Sequence, residues 1–154
     1  MKALNILLAA LWLPCAVLAG TADAITLDAK SATIEDPTHE AKYESGGDRM
    51  CVGFWHTTNV VVRWTCDVPR KGAYRVILVH AAQISDPGSE VEVTVDGQRA
   101  NGFVKPTGDW GRFEDADLGP VILRKPGQVE VTVKVTRFWA GRGMNLRAVR
   151  LERE

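Results

Sequence analysis

Residues 128–135 read "QVEVTVKV", and this stretch decides the fold class. Its valines occupy every second position and alternate with polar or charged residues. Successive side chains of an extended strand point to opposite faces, so this pattern predicts a β-strand with one buried and one solvated face. Valine is branched at Cβ and packs well on a pleated, half-buried surface.

The same two-residue period recurs along the chain. It is present in "EVEVTV" (residues 90–95), while "YRVILVHA" (residues 74–81) is apolar at most positions and predicts a strand buried on both faces. Turn signals separate these segments: the Asp96-Gly97 pair and the Pro/Gly stretches at 68–74 and 123–129. About eight to ten short strands in a single domain predict an all-β fold, a β-sandwich of two antiparallel sheets.

The first twenty residues, "MKALNILLAALWLPCAVLAG", have the layout of a secretory signal peptide, because Lys2 is followed by an apolar run and then by small residues. We expect cleavage after Ala19 or after Ala24. A retained membrane anchor is one alternative, but the run is shorter than the roughly 20 apolar residues that a spanning helix needs. A lipoprotein modified at Cys15 is another, although Pro14 stands where a small residue is needed.

The predicted division is therefore a signal peptide over residues 1–24 and one domain over residues 25–154, in a secreted, periplasmic or cell-envelope location. Of the nineteen basic and nineteen acidic residues, Lys2 and Asp23 precede the domain, which leaves eighteen of each sign. Nucleic acid and anionic membrane surfaces select a positive face. The balanced charge argues against both partners, and we expect no membrane insertion after the signal is cleaved.

Two cysteines remain in the domain, Cys51 and Cys66. Exported chains meet an oxidising environment, so a disulfide is expected. A hairpin turning at Thr58-Asn59 would set the two cysteines directly opposite each other, within disulfide reach. The alternative is a pair of free buried thiols. A metal site is disfavoured because no histidine pair stands at ligand spacing.

Candidate catalytic residues are few. His80 is in phase with the inward positions of its strand and is expected to be an interior histidine, while the other histidines, His39 and His56, lie in loop-like segments. "FEDADLG" (residues 113–119) concentrates three carboxylates, and a carboxylate pair could serve glycoside cleavage. The favoured interpretation is a solvated turn edge. We therefore expect a protein that is not an enzyme, with a small glycoside hydrolase using the segment around Asp115 as an alternative.

Tryptophans give a binding signal. Trp64 is in phase with buried positions and should be core, whereas Trp55, Trp110 and Trp139 lie in loops or near segment ends. The C–H face of a sugar ring stacks on aromatic rings, and its hydroxyls need polar neighbours, which this chain offers close by in sequence. Those neighbours are Asn59, Asp109, Arg112, Arg142 and Asn145. The alternative for each indole is a plug that closes the end of the sandwich.

The order of the segments resembles a known family. "YESGGDRMCVGFW", "NVVVRWTCDVPRKGAYRVILVHA", "SEVEVTVDGQ", "DWGRFEDADLGPVILRKPGQVEVTVKV" and "GMNLRAVRLE" together resemble carbohydrate-binding modules of families 6 and 35, which share a galactose-binding-like jelly roll. The closing segment also looks like the C-terminal accessory domain of α-L-fucosidases. The resemblance covers nearly all of the domain and implies a jelly-roll β-sandwich.

In calcium-bearing members of this group, the first strand carries two acidic residues separated by one, and an Asp follows "NL" in the last strand. Here Asp28 stands in the first acidic place, but Lys30 and Arg147 stand in the other two. Because two ligands have become cations, we expect no metal and no cofactor. We expect Arg147 to form an ion pair with Asp28 that ties the first strand to the last. The alternative is that Arg147 points to water.

The resemblance also implies a sugar site at one end of the sandwich, built from two aromatic residues and an Asn near the last strand. The matching candidates are Tyr43 or Trp55, then Trp139, Asn145 and Trp110. The expected function is that of an exported, non-catalytic protein that binds an oligosaccharide or polysaccharide, alone or beside a partner enzyme. The alternatives are a structural or protein-interaction sandwich without a sugar site, and the small hydrolase.

Overall fold

The computed structural model describes residues 24–83, 88–139 and 143–154. The predicted signal peptide lies outside the described residues except for Ala24, and Arg142 lies outside them as well. The described chain forms eleven strands: β1 Ala24–Asp28, β2 Thr33–Glu35, β3 Lys42–Glu44, β4 Cys51–Gly53, β5 Val61–Val68, β6 Gly72–Ala81, β7 Glu90–Val95, β8 Gln98–Phe103, β9 Glu114–Leu123, β10 Gly127–Arg137 and β11 Asn145–Arg153. Short 3-10 turns occupy Ala29–Ser31 and Gly47–Arg49.

The strands form two antiparallel sheets. The first sheet has the order β3-β4-β11-β6-β9, with β1 pairing β11 beside β4, and the second has the order β2-β5-β10-β7-β8. This architecture confirms the all-β sandwich. In the described part of the chain, no helix is long and apolar enough to cross a membrane.

The alternating valines build the core as the period predicts. Val129, Val131, Val133 and Val135 are all buried, and β10 pairs with β5 on one side and β7 on the other. Each buried valine contributes about 1.5–3 kcal/mol relative to an exposed one. Trp64 is part of the same cluster, as predicted, and its Nε1 donates a hydrogen bond to the Asp28 carbonyl at 2.9 Å.

The Asp96-Gly97 pair forms the predicted hairpin between β7 and β8. Val95 pairs with Gln98, and both turn residues have positive φ angles, 48° and 77°. Positive φ at both central positions is the geometry of a two-residue turn that matches strand twist, and Asp-Gly adopts it readily.

The predicted hairpin between the cysteines does not form, and the disulfide prediction is wrong. Cys51 lies on β4 of the first sheet opposite Glu44, whereas Cys66 lies on β5 of the second sheet opposite Val129. Both are free thiols. The physical reason is that residues 54–60 carry the chain from one sheet to the other, so the strands on either side never pair.

Candidate functional site

A cavity of about 310 Å³ lies at the end of the first sheet where β4 ends and β11 begins. Two thirds of its lining comes from the segment that follows β4 and from the residues before and at the start of β11. The lining residues are Glu44, Arg49, Phe54, Trp55, His56, Trp110, Gly143, Met144 and Asn145. Three of the five predicted binding residues, Trp55, Trp110 and Asn145, therefore meet at one place.

Asn145 is held in a single orientation. It is the first residue of β11 and only 6% exposed, and its Nδ2 donates a hydrogen bond to the Trp110 carbonyl at 2.8 Å. Because the amide nitrogen is used in this way, the side-chain oxygen faces the opposite direction, toward β4. Asn145 thus brings a fixed hydrogen-bond acceptor to the cavity.

Gly53 creates the space into which this acceptor points. A Cβ atom at position 53 would lie 2.8 Å from Asn145 Oδ1 and 3.3 Å from Glu44 Oε2. The two oxygens therefore converge over the one backbone position of β4 that carries no side chain. This acceptor pair, Glu44 Oε2 with Asn145 Oδ1, suits a ligand that donates hydrogen bonds.

Cys51 lies behind Glu44, with Sγ 3.9 Å from Oε2. Burial, and to a smaller extent the charge of Glu44, raise the pKa of the thiol to about 12. The thiol is therefore protonated at neutral pH. It supports Glu44 as a weak donor and offers no nucleophile, since the thiolate is the reactive form.

Trp55 lies against the cavity but is not available for stacking. It is only 2% exposed, and its Nε1 donates a hydrogen bond to the Val52 carbonyl at 3.0 Å. Gly143 packs so closely that a Cβ there would lie 2.6 Å from Trp55 Cβ. The ring is an anchor of the crossing segment, which is the plug interpretation.

Phe54, and not Trp55, exposes an aromatic ring at the cavity. It is 44% exposed, and its backbone has a φ of 61°. A bulky residue in the left-handed region is uncommon and carries strain of about 1–3 kcal/mol, and such residues cluster at functional sites. The sequence gives no sign of this conformation, because it arises where the chain turns between Gly53 and the buried Trp55.

Tyr43 and Trp139 do not line this cavity. Tyr43 lines a second cavity, which it shares with Asp28 and Arg147. Trp139 is 40% exposed on the loop after β10, where the Arg137 guanidinium lies 4.6 Å from the centre of its ring. The backbone N–H of Trp139 donates a hydrogen bond to Ser89 Oγ at 3.2 Å. The five predicted binding residues are thus divided among three places.

The second cavity, of about 400 Å³, lies at the edge of the first sheet. Asp28 and Arg147 both line it, together with Ala29, Lys30, Tyr43, Gly47 and Met50. Arg147 is the extra residue of a β-bulge in β11, and its guanidinium lies 3.5 Å from the centre of the Phe113 ring. The predicted ion pair between Asp28 and Arg147 stays a prediction, with both residues at one cavity.

These residues do not fit a calcium ion. Calcium takes six to eight oxygen ligands, whereas two of the three expected positions here are cations, one of them stacked on a ring. Across the described residues, no three His, Cys, Asp or Glu side chains come close enough to share a metal.

The acidic segment at the start of β9 is neutralised by arginines. Asp115 pairs with Arg150 at 2.6 Å and Asp117 with Arg75 at 2.6 Å, while Glu114 lies 3.1 Å from Arg112. A backbone hydrogen bond from Gly119 and then the Arg75 contact hold the pKa of Asp117 below its usual range. A general acid needs a raised pKa, so this arrangement supports the solvated-edge interpretation.

His80 is an interior histidine, as expected. It is buried, and its Nε2 lies 3.1 Å from the Lys105 carbonyl. It does not line either cavity. His80 is therefore part of the core and not of these two cavities.

Several solved structures have the same fold. A family 35 carbohydrate-binding module from Clostridium thermocellum is 18% identical over 84% of this chain and 98% of its own, with a TM-score of 0.66. The C-terminal family 6 module of a laminarinase from Zobellia galactanivorans is 16% identical over 84% and 99%, with a TM-score of 0.63. A β-(1,4)-mannanase from Podospora anserina that contains a family 35 module is 17% identical over 85% of this chain and 28% of its own, with a TM-score of 0.59.

The likeness establishes the fold. The chain has the jelly-roll β-sandwich of carbohydrate-binding modules of families 35 and 6. No protein-family model matches the sequence, and no curated protein matches it.

Proposed function

We propose that this protein binds a carbohydrate in the cavity between β4 and β11, without catalysing a reaction on it. The observation that carries the proposal is the acceptor pair over Gly53, which lies beside two accessible aromatic residues. The fold supports it, because the similar structures include carbohydrate-binding modules. Trp55, Trp110 and Asn145, which the resemblance suggested, all line this cavity.

The cavity has both kinds of contact that a sugar uses. Phe54 is exposed and Trp110 half-buried, so each can offer apolar surface to the C–H groups of a ring. The acceptor pair takes hydrogen bonds from hydroxyls, and Arg49 and His56 at the exposed rim can donate them. Small-ligand sites combine apolar walls with a few oriented polar groups in this way.

The volume favours one sugar unit at a time. About 310 Å³ is at the low end of ligand cavities. A site of this size holds one ring and leaves the rest of an oligosaccharide outside. The protein would then recognise a terminal or side-chain residue of a larger glycan.

Export and a partner enzyme belong to the same proposal. A signal peptide would deliver the domain to the envelope or the medium, where polysaccharides are accessible. The Podospora anserina structure contains its module within a mannanase, and this chain would perform the corresponding task beside a partner enzyme. Neutralisation of the acidic segment by arginines argues against the hydrolase alternative.

The test is glycan-array screening followed by calorimetry on Trp110→Ala and Trp139→Ala. Trp110 lines the cavity and Trp139 does not, so we expect Trp110→Ala to lose binding by about tenfold or more and Trp139→Ala to keep it. Loss with Trp139→Ala alone would move the site to the loop after β10. Failure of the unaltered protein to bind any glycan would favour the protein-interaction alternative.

A further inference from the structure

We infer that the acceptor pair of Glu44 Oε2 and Asn145 Oδ1 recognises a protonated amine, so that the preferred ligand is an amino sugar. This inference rests on the proposed function, since it specifies the ligand of the same cavity. It depends on how the two oxygens are arranged and on what surrounds them.

The polarity of the acceptor pair favours a ligand group that only donates hydrogen bonds. Asn145 uses its amide nitrogen on the Trp110 carbonyl, so only its oxygen faces Gly53, and Glu44 adds a carboxylate oxygen from the other side. Two acceptors that converge on one space repel each other unless a donor lies between them. An ammonium group has three donors and no acceptor, whereas a hydroxyl has one donor and brings lone pairs.

The negative charge of Glu44 favours a cationic ligand group. No ion pair within 4.0 Å is found for Glu44 among the described residues, whereas Glu114, Asp115 and Asp117 each have one. Glu44 is half-buried, and a charge-assisted hydrogen bond there is worth roughly twice a neutral one. An ammonium therefore gains more from this pair than a sugar hydroxyl does.

An aromatic ring of the cavity also favours a bound cation. A cation close to the face of a tryptophan or phenylalanine ring is stabilised by the negative charge density of the ring. The Phe54 ring already contacts a cation, because Lys42 Nζ lies 4.6 Å from its centre. Trp110 lines the cavity beside Asn145 and is the ring that a bound amine can contact.

Cationic side chains near the cavity act against a bound amine. Arg49 lines the cavity and Lys42 lies over the Phe54 ring, but both side chains are exposed. Water and salt screen an exposed charge, whereas a half-buried carboxylate is screened less. Glu44 therefore dominates at the floor, where the ligand group binds.

The experiment is calorimetry on the full domain with four tetrasaccharides at one pH: glucosamine, N-acetylglucosamine, glucose and galacturonate oligomers. We expect the glucosamine oligomer to bind about tenfold more tightly than the glucose oligomer and to weaken with added salt. Acetylation removes the charge, so the N-acetylglucosamine oligomer should bind no better than the glucose oligomer.

The variants are Glu44→Gln and, as a matched control, Glu40→Gln. Glu40 is exposed and does not line the cavity. We expect Glu44→Gln to remove the preference for glucosamine, because it weakens binding of the glucosamine oligomer by about tenfold more than binding of the glucose oligomer, and Glu40→Gln to change neither. Melting curves of both variants establish that they are folded.

The outcomes separate this inference from the proposed function. Equal binding of glucose and glucosamine oligomers, or preference for galacturonate, overturns the amine inference and leaves carbohydrate binding in place. Absence of binding to these and to every arrayed glycan overturns both. A glucosamine preference that survives Glu44→Gln overturns the role given to the acceptor pair.

Discussion

At the scale of single residues, Phe54 has the exposed position that the sequence analysis considered for Trp55, and Trp55 is buried. The larger indole is buried as an anchor by its hydrogen bond to the Val52 carbonyl, and the smaller phenyl ring is exposed by a left-handed backbone. An indole on a loop signals a ligand or a plug equally well in a sequence. Only the direction of the backbone at Gly53 and Phe54 decides between them.

Trp55→Phe is therefore expected to reduce both stability and binding. It removes the Nε1 hydrogen bond and leaves a small void, so the free energy of unfolding should fall by about 1.5–3 kcal/mol. Glycan affinity should fall too, because Trp55 holds the turn that exposes Phe54. Urea unfolding and calorimetry measure the two effects, with Trp139→Phe as the exposed control, expected to change unfolding by less than about 0.5 kcal/mol. Reduced stability with unchanged affinity would show that Phe54 is positioned without this anchor.

At the scale of elements, β11 organises the first sheet. It pairs with β6 along one side, while β1 and β4 share the other side, and the bulge at Arg147 lies between the end of β1 and the start of β4. Bulges bend a strand and redirect a side chain. The charged residue after "NL" is accommodated here because the bulge places it against Phe113 and the second cavity.

Substitutions at Arg147 and Asp28 test how this junction is held. Arg147→Lys keeps the charge but loses the planar stack on Phe113, and we expect a loss of about 1 kcal/mol and a Tm lower by about 3–5 °C. Asp28→Asn should lower Tm by a similar or smaller amount if the predicted ion pair forms. Scanning calorimetry with calcium or with chelator should give the same Tm in both. A calcium-dependent Tm would contradict the absence of a metal, and an unchanged Tm for Asp28→Asn would contradict the ion pair.

At the scale of the whole molecule, the two cysteines lie in different sheets and cannot form the cross-strand bridge of a hairpin. Stability comes from the packed faces of the sheets. Burial raises the pKa of both thiols, to about 12 for Cys51, and the Asp67 charge also raises that of Cys66. At neutral pH both should be thiols that react slowly in the folded state.

Thiol labelling checks this expectation. With iodoacetamide and no reductant, both cysteines should be alkylated fully after unfolding and only slowly before it, and peptide mass spectrometry should locate each adduct. Added reductant should leave Tm unchanged, because no bridge is present to be broken. Protection of both cysteines in the unfolded chain, released by reductant, would indicate a disulfide after all.

The sequence by itself determined the strands, the sandwich and much of its core. Alternation at residues 128–135 identifies the buried face whichever strand lies alongside, and Asp96-Gly97 defines its turn through local backbone preference. The resemblance also pointed to Trp110 and Asn145, and the fold brings both to one cavity.

Only the tertiary structure decided which sheet each strand joins and which loop aromatics share a cavity. A period of two is identical for a hairpin and for a crossing between sheets, so the pattern around Cys51 and Cys66 could not separate them. Glu44 and Phe54 line the cavity because separate segments of the chain meet there. Such a meeting depends on long-range packing, which leaves no periodic signal in the chain.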